Sequence, residues 1–219
     1  MLIKVCGLRN PENIRHVEML DVDWLGFIFY PQSPRFVPEN SEIAFIIRNC
    51  KKKKVGVFVN EAKEYMLEKG KLYQLNILQL HGNETPDMCN ELRQLGYPVI
   101  KAFSIASATD FYQTERYRNC CDYFLFDTKY SGFGGSGKRF DWQLLDAYQV
   151  DMPFLLSGGL TPDCDADILG IQHPQFAGID LNSGFEVFPA MKDLNKLSVF
   201  IEKIKQKSNL HYSYYTIIK

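Results

Sequence analysis

The feature that most limits how this chain can fold is a series of short apolar runs that end at polar residues or glycine-rich turns. Three of the runs end at a reactive side chain: residues 3–5 at Cys6, residues 123–126 at Asp127 and residues 176–179 at Asp180. Two turns follow other runs, Ser157-Gly158-Gly159 and Asn182-Ser183-Gly184. The loops at the carboxyl ends of the strands in a parallel αβ barrel converge on one mouth. The pattern therefore predicts both a fold and the place where chemistry would occur.

Eight strand-like runs recur along the chain, with starts about 20 to 30 residues apart. They are predicted near residues 2–6, 24–29, 54–59, 76–80, 98–103, 122–127, 152–156 and 176–180. Helical patterns lie between them. One opens at Pro11 after Asn10, a residue suited to the N-cap, and others cover 38–50, 61–71, 85–95, 141–148 and 191–205.

Alternating strands and helices imply a parallel sheet with right-handed crossovers. Eight such units in 219 residues predict a compact (βα)8 TIM barrel, an α/β fold in a single domain. We expect the barrel to occupy residues 1–206. Residues 207–219 would form a tail, beyond the last helix, to which the sequence assigns no role. A doubly wound open sheet is the main alternative on this pattern alone.

The composition excludes some classes of partner. The chain is 46% hydrophobic and 23% charged, with a net charge of −1, so nothing draws it as a whole to nucleic acid or to an anionic membrane. The basic run of residues 51–54 precedes an apolar run and is best explained as a solvated connection to a strand. The sequence gives no obvious surplus apolar helix face, and we expect a monomer.

The six cysteines form no C-x-x-C pair, and the four histidines do not fall at zinc-ligand spacing. We therefore expect no metal site, and free thiols in a reducing cytoplasm. The apolar stretch after Met1 is broken by Lys4, and no 18-residue apolar span occurs, which argues against a signal peptide and a membrane helix.

The glycine-rich segment 132–139 nearly satisfies two nucleotide-binding patterns. It fits the phosphate loop G-x-x-x-x-G-K, but Arg139 stands where the magnesium-binding Ser or Thr should be. It also fits G-x-G-x-x-G, but it does not directly join a strand to a helix. A lid over an active site, hinged at Gly134, Gly135 and Gly137 and carrying Lys138, is the better interpretation.

Three side chains at strand ends are candidates for chemistry. Cys6 precedes a glycine, which favours exposure, although a free cysteine is more often a small buried apolar residue. Asp127 ends an almost wholly apolar strand, where a carboxylate is costly to bury unless it is paired or faces the mouth. Asp180 has the same placement. A helix cap or an ion pair is the structural alternative for both carboxylates.

Other residues suggest how an anionic substrate would be held. Arg35 follows a loop stiffened by two prolines, and a rigidly presented guanidinium suits bidentate capture of a carboxylate. The turns at Gly158-Gly159 and Ser183-Gly184 follow the seventh and eighth strands, whose loops often bind phosphate in barrels. His81 follows the fourth strand and would point to the mouth, where a purely structural hydrogen bond is an equal possibility.

These motifs, in this order, resemble the phosphoribosylanthranilate isomerase family of tryptophan biosynthesis. The resemblance covers residues 2 to 205. It rests on the segments at 4–7, 26–29 with 33–35, 57–60, 78–82, 126–127, 134–138 with 140–142, 156–160, and Asp180 with Ser183, Gly184 and Glu186. The family's phosphate motif commonly has two serines before the glycine, and here Asn182 takes the first place.

The resemblance implies an Amadori rearrangement of N-(5-phosphoribosyl)anthranilate on a (βα)8 barrel without a metal or an organic cofactor. It implies that Cys6 is the general base, Asp127 the general acid and Arg35 the ligand of the anthranilate carboxylate, with Asp180 near the ribose or the amine. A free thiol titrates near pH 8.5, so Cys6 would need a cationic or polar setting to ionise at neutral pH. A carboxyl group ordinarily ionises near pH 4, so an acid role requires desolvation or nearby negative charge.

Three other functions stay open on the sequence. The related sugar isomerase of histidine biosynthesis performs the same type of rearrangement with two aspartates, one of them at the place of Cys6. A catalytically silent phosphometabolite-binding barrel would keep the fold without turnover. A redox-sensing thiol protein would use Cys6 or the adjacent pair Cys120-Cys121, although adjacent cysteines form a strained ring when bridged.

Overall fold

All eight predicted strands form. The computed structural model of the chain describes residues 1–128 and 141–217, with side chains through residue 206. The strands are β1 Leu2–Val5, β2 Trp24–Ile28, β3 Lys53–Phe58, β4 Ile77–Leu80, β5 Val99–Ile105, β6 Tyr123–Thr128, β7 Phe154–Leu156 and β8 Phe176–Leu181. They read as nearly continuous apolar runs because a parallel sheet covered by helices is buried on both faces.

The strands pair in chain order and close into a barrel. The closure is made between β1 and β8, which pair in parallel from Leu2 opposite Gly178 to Val5 opposite Leu181. An open sheet would leave these two strands as edges, so the doubly wound alternative is wrong. The prediction of a (βα)8 TIM barrel is confirmed.

The first four connections between strands contain α-helices, and the next three contain 3₁₀ segments, the last of them with a short α-helix. The α-helices are α1 Pro11–Glu18, α2 Ser41–Asn49, α3 Lys63–Leu72 and α4 Pro86–Gln94. Helix α1 begins as predicted, with the Asn10 side chain accepting from the Asn13 amide. After β5, β6 and β7 come the 3₁₀ segments Ala108–Tyr117, Trp142–Ala147 and Pro162–Cys164, the last continuing into α5 Asp165–Leu169. The predicted helix over 141–148 is thus a 3₁₀ segment.

The chain after β8 differs from the prediction at both ends of its last helix. A short 3₁₀ turn, Ser183–Phe185, leads into an antiparallel ribbon of β9 Glu186–Phe188 and β10 Met191–Lys192. The helix predicted to begin at Met191 therefore begins later. Helix α6 runs Leu194–Ile217, well past the predicted end at Lys205. The division of the chain at residues 206 and 207, and the role of the tail, stay predictions.

The core has two layers. A large layer lies between the barrel and its helices, and a small cluster fills the barrel interior with Trp24, Val55, Ile77, Ile100, Ala102, Leu125 and Leu155. Successive side chains of a strand point to opposite faces, so interior positions recur every second residue. Polar residues that continue this alternation beyond the cluster must lie in the barrel at the carboxyl ends of the strands.

Candidate active site

Cys6 lies just beyond the end of β1, and its amide donates to the carbonyl of Leu181 over 2.8 Å. It is 3% exposed, and Gly26 of β2 leaves the room that its sulfur occupies, since a Cβ there would lie 2.7 Å from Sγ. Burial raises the pKa of the Cys6 thiol, the positive charges of Lys4 and Lys192 oppose that rise, and Asp180 adds to it. The thiol therefore has two cationic neighbours of the kind that favour a thiolate, while burial holds its pKa above the ordinary value.

Asp180 and Lys4 form an ion pair inside the barrel. The two residues are register partners across β1 and β8, and Nζ of Lys4 donates to Oδ2 of Asp180 over 2.8 Å. The side chains are 0% and 5% exposed. Burial pushes the pKa of Asp180 upward, against the charge of Lys4. Among the residues that the structure describes, Oδ1 of Asp180 has no hydrogen-bond partner.

Asp127 and His81 meet at the ends of β6 and β4. Nε2 of His81 lies 3.4 Å from Oδ2 of Asp127, with both side chains about a third exposed at 32% and 28%. The other carboxylate oxygen, Oδ1, accepts from the Thr128 amide over 2.8 Å. On its second nitrogen, Nδ1, His81 contacts Nε2 of the buried Gln79 at 3.2 Å. Gln79, His81 and Asp127 thus form a chain of polar contacts along one side of the mouth.

Arg35 is held by a carboxylate of the protein itself. Its Nε lies 2.9 and 3.1 Å from the two oxygens of Glu186, and Nη2 lies 2.6 Å from Oε2. Lys192 of the ribbon donates to the other side of this group, to Oε1 of Glu186 over 2.7 Å and to Oδ1 of Asn182 over 2.8 Å. The guanidinium is therefore fixed in orientation by contacts to Nε and Nη2.

The two predicted phosphate turns come into contact. Gly158 and Gly159 follow β7 with φ of +79° and +67°, a left-handed conformation that favours glycine. Ser183 and Gly184 begin the 3₁₀ turn after β8. A Cβ on Gly184 would lie 2.0 Å from the carbonyl oxygen of Leu160, so the second turn lies directly against the first. Gly158 also lies directly against the carboxylate of Asp127, because a Cβ on Gly158 would lie 2.3 Å from Oδ1.

The predicted lid residues Gly134, Gly135, Gly137 and Lys138 lie outside the described residues. Over the ranges 1–128 and 141–217, no group of three or more histidine, cysteine or acidic side chains is arranged to hold a metal ion. In the same part of the chain no helix combines the length and apolar composition needed to cross a bilayer.

Sequence reasoning missed three charged or polar residues of the site: Lys4, Gln79 and Lys192. A signal for the first two exists, because each stands two residues before a predicted site residue on the same strand and must share its face. Lys192 gives no such signal, since its position depends on an antiparallel ribbon that the sequence pattern did not predict.

The fold and the site together define a class: a (βα)8-barrel enzyme with a thiol and a carboxyl group at a mouth lined with cationic side chains. Comparison with known proteins gives the family. The sequence model of the N-(5'-phosphoribosyl)anthranilate isomerase family matches residues 3–203 of this chain. A Parabacteroides distasonis protein named N-(5'-phosphoribosyl)anthranilate isomerase is 53% identical over 206 residues, covering 93% of each chain.

Comparison with solved structures leads to the same family. Phosphoribosyl anthranilate isomerase from Thermotoga maritima superposes with a TM-score of 0.79 at 33% identity, over 94% of this chain and 100% of that one. A structure of the same enzyme type in complex with reduced 1-(o-carboxyphenylamino)-1-deoxyribulose 5-phosphate gives a TM-score of 0.76 at 30% identity, with the same coverage. The chain belongs to the N-(5'-phosphoribosyl)anthranilate isomerase family and is an isomerase of tryptophan biosynthesis.

Proposed function

We propose that this isomerase converts N-(5-phosphoribosyl)anthranilate to 1-(2-carboxyphenylamino)-1-deoxyribulose 5-phosphate with Asp127 as general acid and Cys6 as general base. The observation that supports these roles is the arrangement of the mouth. Cys6 follows β1 and Asp127 lies near the end of β6, strands three places apart around the closed barrel, and each has its own polar neighbours. A relative of known structure binds the reduced form of this product, which fits the same substrate class.

The first step opens the ribose ring. The carboxyl group of Asp127 gives its proton to the ring oxygen, the bond between that oxygen and the anomeric carbon breaks, and the anthranilate nitrogen supplies the electron pair for a Schiff base. His81, 3.4 Å from Asp127, is suited to orient the carboxyl group and to contact the substrate. A positioned acid of this kind contributes about 10²–10⁴ in rate.

The second step moves a proton from carbon. The thiolate of Cys6 removes the proton from the ribose carbon next to the Schiff base, and the electrons of that bond flow to the nitrogen, giving an enolamine. The enolamine then tautomerises to the ketone product. One sugar carbon is reduced and its neighbour oxidised, so the reaction needs no external oxidant or reductant.

The substrate's two anionic ends have separate binding groups in this proposal. Arg35 holds the anthranilate carboxylate and Asp180 contacts the ribose or the amine through its unpartnered oxygen. Gly158, Gly159, Ser183 and Gly184 hold the phosphate through backbone N–H groups. Gly134, Gly135, Gly137 and Lys138 form the lid that excludes water.

The proposal is tested by following the loss of anthranilate-type fluorescence with freshly made substrate. We expect Cys6→Ala and Asp127→Asn each to lower kcat by at least about 10²-fold, because each removes a proton-transfer group. Cys50→Ala and Asp122→Asn are matched controls. Cys50 caps the end of α2 and Asp122 precedes β6, so both lie at the opposite end of their elements from the mouth.

Activity undiminished in the Cys6 or Asp127 variant would leave the enzyme class intact and overturn the assigned role. Equal losses in the controls would point to a general effect on folding, which circular dichroism of all four variants distinguishes.

A cytoplasmic location and a monomeric state are also part of this proposal. All six cysteines are free thiols, as in proteins of a reducing compartment. Size-exclusion chromatography with light scattering should give the mass of one chain, and twice that mass would contradict the monomer.

A further inference from the structure

Lys4 is a charged residue in the barrel interior, where burying a charge costs free energy. On β1, Ile3 and Val5 pack into the layer under the helices and Leu2 packs against the interior cluster, so Lys4 and Cys6 face the barrel interior. The Lys4 side chain is 0% exposed. An isolated ammonium group is strongly disfavoured in such a site unless it is paired.

A contribution to the stability of the fold does not account for the ion pair between Lys4 and Asp180. Nζ of Lys4 and Oδ2 of Asp180 lie 2.8 Å apart, next to the apolar cluster that fills the barrel interior. Replacing a buried ion pair with well-packed apolar residues is often neutral or stabilising, because the desolvation of both ions offsets their attraction. Asp180 also keeps one buried oxygen, Oδ1, without a partner among the described residues. A pair built only for packing would not leave an acceptor in that state.

Cys6 is the second group that Lys4 faces. Lys4 and Cys6 stand two residues apart on the same face of the first strand. Burial lowers the pKa of Lys4, and the negative charges of Asp180 and of the Cys6 thiolate outweigh it and raise that pKa. The same interaction acts in the other direction on Cys6, where burial raises the pKa of the thiol and Lys4 is the first of the groups that oppose it. The other charged groups that act on Cys6 are Asp180 of β8 and Lys192 of β10. Lys4 is thus shared between two acidic groups of one site.

We propose that Lys4 is a positioning residue of the isomerase site, whose buried ammonium group stabilises the thiolate of Cys6 and aims the unpartnered oxygen of Asp180 at the substrate. This inference rests on the proposed role of Cys6 as the base. Lys4 itself transfers no proton in the reaction. When the thiolate takes a proton from carbon, the ammonium group keeps its ion pair with Asp180, so the site is ready for the next cycle.

The test uses Lys4→Met, which keeps most of the length of the side chain and removes its charge. The rate at which iodoacetamide alkylates Cys6 is followed across pH by mass spectrometry of the peptide that contains it. Because a nearby opposite charge lowers a pKa by about 1–3 units, we expect the alkylation profile of Lys4→Met to move at least about one unit upward. At a fixed pH on the rising limb, alkylation should be about tenfold slower or more. The acid limb of kcat against pH should move the same way.

Lys101→Met is the matched control. Lys101 is also a buried lysine on a barrel strand, with a carboxylate, Glu84, 3.4 Å from its Nζ. It donates to the carbonyl oxygens of Leu80, Gly82 and Ala102. Its ammonium group also lies over the ring of Phe103, which belongs to the core layer outside the barrel. We expect Lys101→Met to lower Tm and to leave the alkylation profile of Cys6 unchanged.

The proposal is overturned if Lys4→Met lowers Tm but leaves both pH profiles in place, since that is the behaviour of a purely structural lysine. If Lys4→Met does not fold, the double variant Lys4→Met/Asp180→Asn, compared with Asp180→Asn alone, makes the same measurement without a buried orphan carboxylate. The alkylation profile does not depend on turnover. A shifted profile with full activity in Cys6→Ala would uphold the Lys4–Cys6 interaction and reject the base role instead.

Discussion

Nε2 of His81 lies 3.4 Å from Oδ2 of Asp127, at the ends of two strands, β4 and β6, that are separated by β5. With the Gln79 amide in this orientation, its nitrogen can only donate, so the 3.2 Å contact to Nδ1 makes that ring nitrogen an acceptor. In the neutral ring the proton then sits on Nε2, facing Asp127. Gln79 therefore sets which nitrogen His81 presents to the carboxyl group.

Gln79→Leu should disturb catalysis without unfolding the protein. The change removes the donor to Nδ1, so His81 loses its fixed tautomer, and we expect kcat to fall about tenfold, less than the 10²–10⁴ of a proton-transfer group. It also removes Oε1 of Gln79, a buried oxygen without a partner in the described residues, so Tm should change little. Gln94→Leu, at the exposed end of α4, is the control. Nitrogen-15 NMR that finds the wild-type proton of His81 on Nδ1 would contradict the argument.

Gly158→Ala should act through Asp127. The left-handed backbone at Gly158 costs an L side chain about 1–2 kcal/mol, and the new Cβ would lie 2.3 Å from Oδ1 of Asp127, which must move. Gly96→Ala is a close control, because Gly96 has φ of +90° with nothing within 4 Å of the added atom. Urea unfolding should show a loss of stability in both variants, and a larger one in Gly158→Ala, because its Cβ would also lie 2.5 Å from the backbone nitrogen of Thr128. Only Gly158→Ala should also lower kcat/KM, by about tenfold or more, and an equal effect of both changes on kcat/KM would count against it.

Much of this arrangement could be predicted from the sequence. The eight strands form within a few residues of their predicted bounds because each is a mostly apolar run, and that pattern is typical of a barrel buried on both faces. Cys6, Asp127 and His81 reach one mouth because each ends such a run. The pairing of Arg35 with Glu186 could not be predicted, since it joins residues 151 positions apart through a turn and a ribbon. The tight 3₁₀ crossovers were also missed, because apolar periodicity does not separate them from an α-helix.

Arg35→Lys should raise KM more than it lowers kcat. Glu186 binds Nε and Nη2, so the guanidinium is presented in a fixed plane that a lysine ammonium cannot reproduce. Hydrogen bonds to charged groups are worth about 1.5–3 kcal/mol, which corresponds to a rise in KM of about tenfold or more. Arg9→Lys is the control, because Arg9 is exposed and donates to the carbonyl of Pro34 in the same loop. Steady-state kinetics showing a lower kcat at unchanged KM would reject a ground-state binding role for Arg35.

Glu186→Gln should destabilise the protein in a way that depends on pH. Burial favours the neutral acid, but the hydrogen bond from Arg35 and the charge of Lys192 outweigh it and hold the pKa of Glu186 below its ordinary value of 4.5. A carboxyl group with a depressed pKa in the folded state contributes stability that is present above its unfolded pKa and is lost as pH falls through the folded one. The difference in unfolding free energy between wild type and variant, measured in urea, should therefore be constant from pH 7 to about 5 and shrink below about 4.5. A difference that stays the same down to pH 3.5 would mean that the charge of Glu186 contributes nothing to holding the ribbon against Arg35.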